Sequence, residues 1–183
     1  MRIIIRAVKE RTEFIEYLRK RLPNAEWCFD ETKNAMDTFL KAMLMAGDDP
    51  VVHMEEDIIL TRDFENKLNT VIAQRPKDLI QFFSMRQKDL TEGSRYDGSY
   101  MMNQCFYTPQ HYSRRIYEFY RTWDGKLIHP TGSDNMIADW LKSRREHYWI
   151  HVPSLVEHRI AKSMIDSRRS SKRQSKTFVD PWV

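Results

Sequence analysis

Residues 51–60 read VVHMEEDIIL, an apolar run broken in its middle by Glu55, Glu56 and Asp57. Short apolar runs rich in Val and Ile form buried strands. Carboxylates at the end of such a strand cost free energy unless something pairs with them. A hard divalent cation with oxygen ligands is one natural partner. In open α/β sheets, ligands gather at the carboxyl ends of the strands. Strand alternation predicts Glu55 and Asp57 on one face and Glu56 on the other. The same acids would also suit an exposed strand end, so the segment alone leaves both readings open.

Working outward, residues 2–8 (RIIIRAV) read as a buried strand and residues 25–29 as a second. Between them a helix is predicted over 12–22, with Phe14, Leu18 and Leu22 at every fourth position and Pro23 as its stop. Thr32 or Asn34 is placed to cap the next helix, which carries Met36, Phe39, Leu40, Met43 and Leu44 and ends at Gly47. Toward the C-terminus, 79–84 and 100–108 read as strands, and 93–98 (GSRYDG) as a surface loop. Pro109 suits the first position of a helix carrying Tyr112, Ile116, Phe119 and Trp123. A further helix is predicted over 134–143 and a last strand over 148–152. Alternating strands and helices predict a single α/β domain, a Rossmann-type sandwich with a mostly parallel central sheet and helices on both faces.

Composition narrows the class. A chain of 183 residues suits one domain, and 41% hydrophobic with 31% charged residues excludes a disordered one. No GxSxG, HExxH or GxGxxG occurs, which leaves hydrolytic and redox chemistry without support. The 5 glycines include none before Gly47, which disfavours the Gly-rich phosphate loop of nucleotidyl transfer. Cys28 and Cys105 sit in apolar contexts without a CxxC and predict two buried thiols in a reducing compartment. No run of about 18 apolar residues occurs, so no membrane span is expected. Residues 2–8 are too short and too charged for a secretory leader, and a cytoplasmic location is expected.

The segment 51–64, VVHMEEDIILTRDF, resembles the nucleotide-sugar-binding segment of GT-A glycosyltransferases: an apolar strand, a DxD-like acidic triplet, an apolar pair and a turn ending in Asp-Phe. It is most similar to small lipopolysaccharide-type and phage-type members. Residues 34–44 resemble the helix those enzymes place before that strand. Downstream, Val152-Pro153-Ser154-Leu155-Val156-Glu157-His158 followed by Ser163 resembles the family's late segment. The likeness spans 2–163 and departs from the family at Glu55, where the first Asp is usual.

The resemblance implies a GT-A-like fold and a metal-dependent glycosyltransferase, moving a sugar from a nucleotide-sugar, UDP-linked by preference, to a hydroxyl acceptor. Asp57 and His158 would be the metal ligands, and a nitrogen ligand favours Mn²⁺ over Mg²⁺. Arg11, Asp30, Glu55, Glu56 and Ser163 would contact the donor. Asp134, at a helix start, would be the catalytic base of an inverting enzyme, although an Asp in a first helical turn is also favoured by the helix dipole alone. Arg86, Tyr96 and Asp97 would border the acceptor, a glycan or modified phage DNA.

The last stretch has its own character. Residues 168–183 hold five Arg or Lys against Asp180, a net of +4 that equals the charge of the whole chain. A catalytic domain over 1–165 followed by a basic, flexible tail over 166–183 is therefore expected. Arg169, Lys172 and Lys176 would close on the donor's diphosphate. The alternative is a non-enzymatic nucleic-acid-binding protein acting through this tail. Residues 177–182 (TFVDPW) are apolar enough to dock back on the body.

Overall fold

The computed structural model describes residues 1–96, 98, 100–161 and 173–183. Its first three strands, β1 (Arg2–Ala7), β2 (Glu26–Phe29) and β3 (Val51–Glu55), form a parallel set with β1 in the middle. The connecting helices are α1 (Thr12–Arg21) and α2 (Ala35–Ala46). The side chain of Asn34 caps α2 by accepting a hydrogen bond from the Met36 N–H at 3.0 Å. Gly47 ends that helix with φ at 60°, a left-handed conformation that glycine adopts without a Cβ penalty.

The second half supplies α3 (Phe64–Gln74), β5 (Leu79–Gln81), β6 (Gly93–Arg95), β7 (Cys105–Thr108), α4 (Tyr112–Thr122), a short 3-10 turn at Asp124–Leu127, α5 (Ser133–Arg144) and β8 (Tyr148–Ile150). The main sheet has 7 strands in the order β2-β1-β3-β7-β5-β8-β6. All run in one direction except β7 and β6, which are antiparallel to their neighbours. A second sheet pairs β4 (Ile58–Leu60) with β9 (Val156–His158).

Strand alternation sorts the core into two apolar layers. Ile3, Ile5, Val52 and Met54 face α1 and α3 through Leu18, Leu22, Phe64 and Leu68. On the opposite face, α2, α4 and α5 pack through Phe39, Met43, Ile116 and Trp140 against Phe106 and Tyr148. The fold is thus a mixed α/β sandwich with a mostly parallel central sheet and helices on both faces. Cys28 and Cys105 are buried free thiols. Among the described residues no helix is long and apolar enough to cross a membrane.

Several expectations need correction. The run 51–60 is not one strand: it bends at Glu56 and Asp57, and its second half joins a different sheet. Residues 64–74 form α3, a stretch to which the sequence reading gave no element beyond a turn ending at Phe64. The strand expected over 100–108 begins at Cys105, and the helix expected from Pro109 begins at Tyr112. The loop 93–98 contains β6, which completes the sheet edge against β8.

Candidate functional site

β1, β2 and β3 all end at one rim of the sheet, and their C-terminal ends open onto a cavity of about 540 Å³. Arg6 and Ala7 line it from the end of β1 with Val8 just past it, Asp30 from just past β2, and Glu55 from the end of β3 with Glu56 and Asp57 in the bend that follows. The residues leading into β7, 100–104, form a second wall, and 128–135 at the start of α5 form a third. His158 and Arg173 close the remaining side.

The small second sheet explains how His158 arrives. In the antiparallel ladder of β4 and β9, Ile58 lies opposite His158 and Leu60 opposite Val156. The Arg159 N–H then donates to the Asp57 carbonyl at 2.8 Å. His158 Nε2 sits 3.3 Å from Asp57 Oδ2, with the two side chains 7% and 11% exposed. Arg11, at the N-terminus of α1, reaches the same oxygen at 2.6 Å and Glu56 Oε1 at 2.9 Å. The bend after Glu55 breaks strand alternation, so Glu56 does not point away from the site as a continuous strand would require; it is buried in the same cluster.

The charges follow from this packing. Burial disfavours ionised Asp57, but the hydrogen bond and charge of His158, and then Arg11, outweigh it and hold the carboxyl below its ordinary pKa. Burial likewise lowers His158, yet the Asp57 carboxylate outweighs it and the imidazole pKa rises. Burial and then repulsion by Asp57 push Glu56 up to about 7, against the pull of Arg11. Burial also raises Glu55, with Arg6 opposing it. Glu55 is held at both oxygens: Arg6 Nη2 lies 3.4 Å from Oε1, and Gln104 Nε2 donates to Oε2 at 3.0 Å.

A divalent cation can be tested against these atoms. Asp57 Oδ1 is buried with no hydrogen-bond partner, and so is His158 Nδ1. Among the described residues, no group of three or more His, Cys, Asp or Glu side chains converges as a metal cluster. Asp57 Oδ1 and His158 Nδ1, one oxygen and one nitrogen, are thus the atoms of this pair left open to a ligand, while Nε2 and Oδ2 are turned toward each other.

The predicted residues divide clearly. Arg11, Asp30, Glu55, Glu56, Asp57, Asp134 and His158 all line the cavity. Asp134, in the first turn of α5, accepts the N–H of Met102 through Oδ2 at 3.3 Å. Arg86 does not line the cavity: it is bound to Asp89 at 2.6 Å and donates to the Tyr148 hydroxyl at 2.9 Å. Tyr96 also lies elsewhere, stacked on His147 with centroids 4.8 Å apart. Tyr96 directly follows β6, which forms the edge of the sheet. Lys176 is exposed and outside the cavity wall. Asp97, Ser163, Arg169 and Lys172 lie outside the described residues.

Sequence reasoning missed Arg6, Asn103, Gln104 and Arg173. Arg6 reads as an ordinary strand charge, yet it is buried, with its guanidinium 5.2 Å from the Phe39 ring centroid. Arg173 was counted in the tail's charge, and what places it is the docking that follows. Ser175 N–H donates to Glu157 Oε1 at 2.9 Å, Trp182 N–H to the Leu60 carbonyl at 2.7 Å, and the Tyr17 hydroxyl to the Trp182 carbonyl at 2.8 Å.

The fold and the site define an α/β protein with a carboxylate–imidazole–guanidinium cluster at the strand ends. No family model matches the chain, and no curated protein matches it. Solved structures do. The A197 protein from STIV is 15% identical over 98% of this chain and 95% of its own, with a TM-score of 0.48. A glycosyltransferase involved in glycosylation of the major capsid of PBCV-1 is 10% identical over 82% of each chain, with a TM-score of 0.48. A putative glucose-1-phosphate thymidylyltransferase from Bacillus anthracis, solved with sucrose, is 10% identical over 85% of this chain and 69% of its own, with a TM-score of 0.47.

Proposed function

We propose that this chain is a glycosyltransferase that binds a nucleotide-sugar at the strand-end cavity together with a divalent cation, Mn²⁺ or Mg²⁺. The observation that supports it most is the meeting of Asp57 and His158, from distant parts of the chain, at 3.3 Å beside a cavity of about 540 Å³. Asp57 and His158 would hold the cation, which would supply Lewis-acid neutralisation of the leaving diphosphate.

The chain's own residues divide the remaining work. Arg11 and Arg173 offer guanidinium groups suited to phosphate oxygens. Asp30, which lines the cavity just past β2, would accept a hydrogen bond from a ribose hydroxyl. Asp134 stands at another wall of the same cavity, and its carboxylate would take the proton of the acceptor hydroxyl.

Thermal-shift measurements with UDP, GDP, CMP and their sugars, with and without Mn²⁺, test this reading. The expected result is stabilisation by one nucleotide family that requires the metal and disappears in Asp57→Ala. Stabilisation by none of them would overturn it. Salt-sensitive nucleic-acid binding that survives Asp57→Ala would favour the non-enzymatic alternative instead.

A further inference from the structure

Residues 100–104 link the acidic cluster to Asp134, and three features show that this link is held in a fixed shape. Met102 has φ at 77°, a left-handed conformation that is costly for a side chain other than glycine and clusters at functional sites. The Gln81 amide, fully buried in β5, donates to the carbonyls of both Met101 and Met102 and pins that conformation from below. The Arg6 guanidinium donates to the Asn103 carbonyl at 2.6 Å.

The two side chains at the end of this link are amides with one half tied. Asn103 Nδ2 donates to Ser133 Oγ at 2.9 Å, and Gln104 Nε2 donates to Glu55 Oε2 at 3.0 Å. The Glu55 carboxylate accepts, which makes the Gln104 atom facing it the nitrogen; the Ser133 hydroxyl, which can also donate, takes the acceptor role toward Asn103 in this arrangement. The freed ends, Asn103 Oδ1 and Gln104 Oε1, are buried and have no hydrogen-bond partner. Both residues line the cavity, between Glu55 on one side and Ser133-Asp134 on the other. An unpaired buried acceptor costs free energy, a cost that a ligand hydroxyl or amine relieves. A neutral amide oxygen gains nothing from a phosphate, which has no proton to donate.

We infer that Asn103 and Gln104 are the specificity-determining residues for the transferred group, reading hydroxyls of a neutral sugar through their two amide oxygens. This rests on the reading of the cavity as a nucleotide-sugar site. It adds which wall touches the sugar and which chemistry it recognises. On the same reading the nucleoside diphosphate falls to Arg11, Arg173 and the Asp57–His158 pair, which line the same cavity. The sugar then lies between that pair and Asp134, where an acceptor hydroxyl would attack.

Calorimetric titration of the full chain with UDP against UDP-glucose, and GDP against GDP-mannose, separates the two walls. With Asn103→Ala and Gln104→Ala, affinity for the sugar-bearing ligand is expected to fall about tenfold per variant, while affinity for the bare diphosphate changes less than twofold. Retained diphosphate binding also shows that each variant folds. Asn103→Asp, which keeps the acceptor, is expected to keep most of the affinity. Equal losses for both ligands would make these residues structural and overturn the inference, as would no loss for either. If the wild-type chain binds none of the four ligands, the nucleotide-sugar reading falls and the inference falls with it.

Discussion

Two buried clusters of carboxylates and arginines, one just past β3 and one between β5 and β6, differ in one respect. Around Asp89, whose side chain is 0% exposed, every oxygen is used: Oδ2 accepts from Ser84 Oγ and Arg86 Nε at 2.6 Å each, and Oδ1 from Arg95 Nε at 3.3 Å. Around Asp57, Arg11 and His158 share Oδ2 while Oδ1 is left without a partner. A saturated cluster has no capacity left for a ligand and serves the fold. An unsaturated cluster on a cavity wall stores a cost that ligand binding can relieve. Charge and burial alone do not separate the two; the count of satisfied acceptors does.

Asp89→Ala strips both arginines of their buried counter-charge. It is expected to cost about 3–5 kcal/mol, a fall in Tm on the order of 10 °C. A shift of only a degree or two would mean that the cluster is not structural. Asp57→Ala leaves Arg11 paired with Glu56, so a smaller loss of stability is expected, together with a fall in metal-dependent donor binding on the order of a hundredfold or more. Unchanged binding there would erase the contrast between the clusters.

A pH series sharpens the comparison with a third buried group outside both. His53 in β3 is wholly buried; burial, and then Arg6, hold its pKa well below the usual imidazole value. Its folded pKa lies below its unfolded one, so below about pH 6.5 the unfolded chain takes up a proton that the folded chain refuses. Stability is therefore expected to fall by about 1.4 kcal/mol per pH unit below that point. His53→Gln should flatten this slope in thermal melts between pH 7.5 and 5.5, and an unchanged slope would assign the acid loss elsewhere. The smallest expected effect is that of Trp182→Ala, which removes a half-buried ring from the layer beside α1. About 1–2 kcal/mol of stability should be lost, with weaker donor binding if docking of 175–182 sets the position of Arg173. Donor affinity equal to that of the wild type would show that Arg173 is placed without this anchor.

The elements with strong local signals were legible in the residues alone. The Ile-rich first strand, the Asn34 cap, the Gly47 stop and the helix start beside Asp134 each rest on chemistry within a few neighbouring residues. α3 was not, because its apolar positions Phe64, Leu68, Val71 and Ile72 directly follow a strand-like run whose end the sequence does not mark. Arg86 and Tyr96 were expected to border an acceptor, and neither lines the cavity: Arg86 is held by Asp89 and Tyr148, and Tyr96 stacks on His147 beside the β6–β8 pair.

The amino-acid order by itself determined an α/β chain with an acid triplet at a strand end, because side-chain periodicity and capping act over a few residues. Only the tertiary structure decided which polar atoms are left without partners. The β4–β9 ladder brings His158 to Asp57, and the Gln81 amide holds 101–102 so that Asn103 and Gln104 face their neighbours with one end of each amide tied. Hydrogen-bond saturation is a property of contacts between distant segments, and no local pattern encodes it.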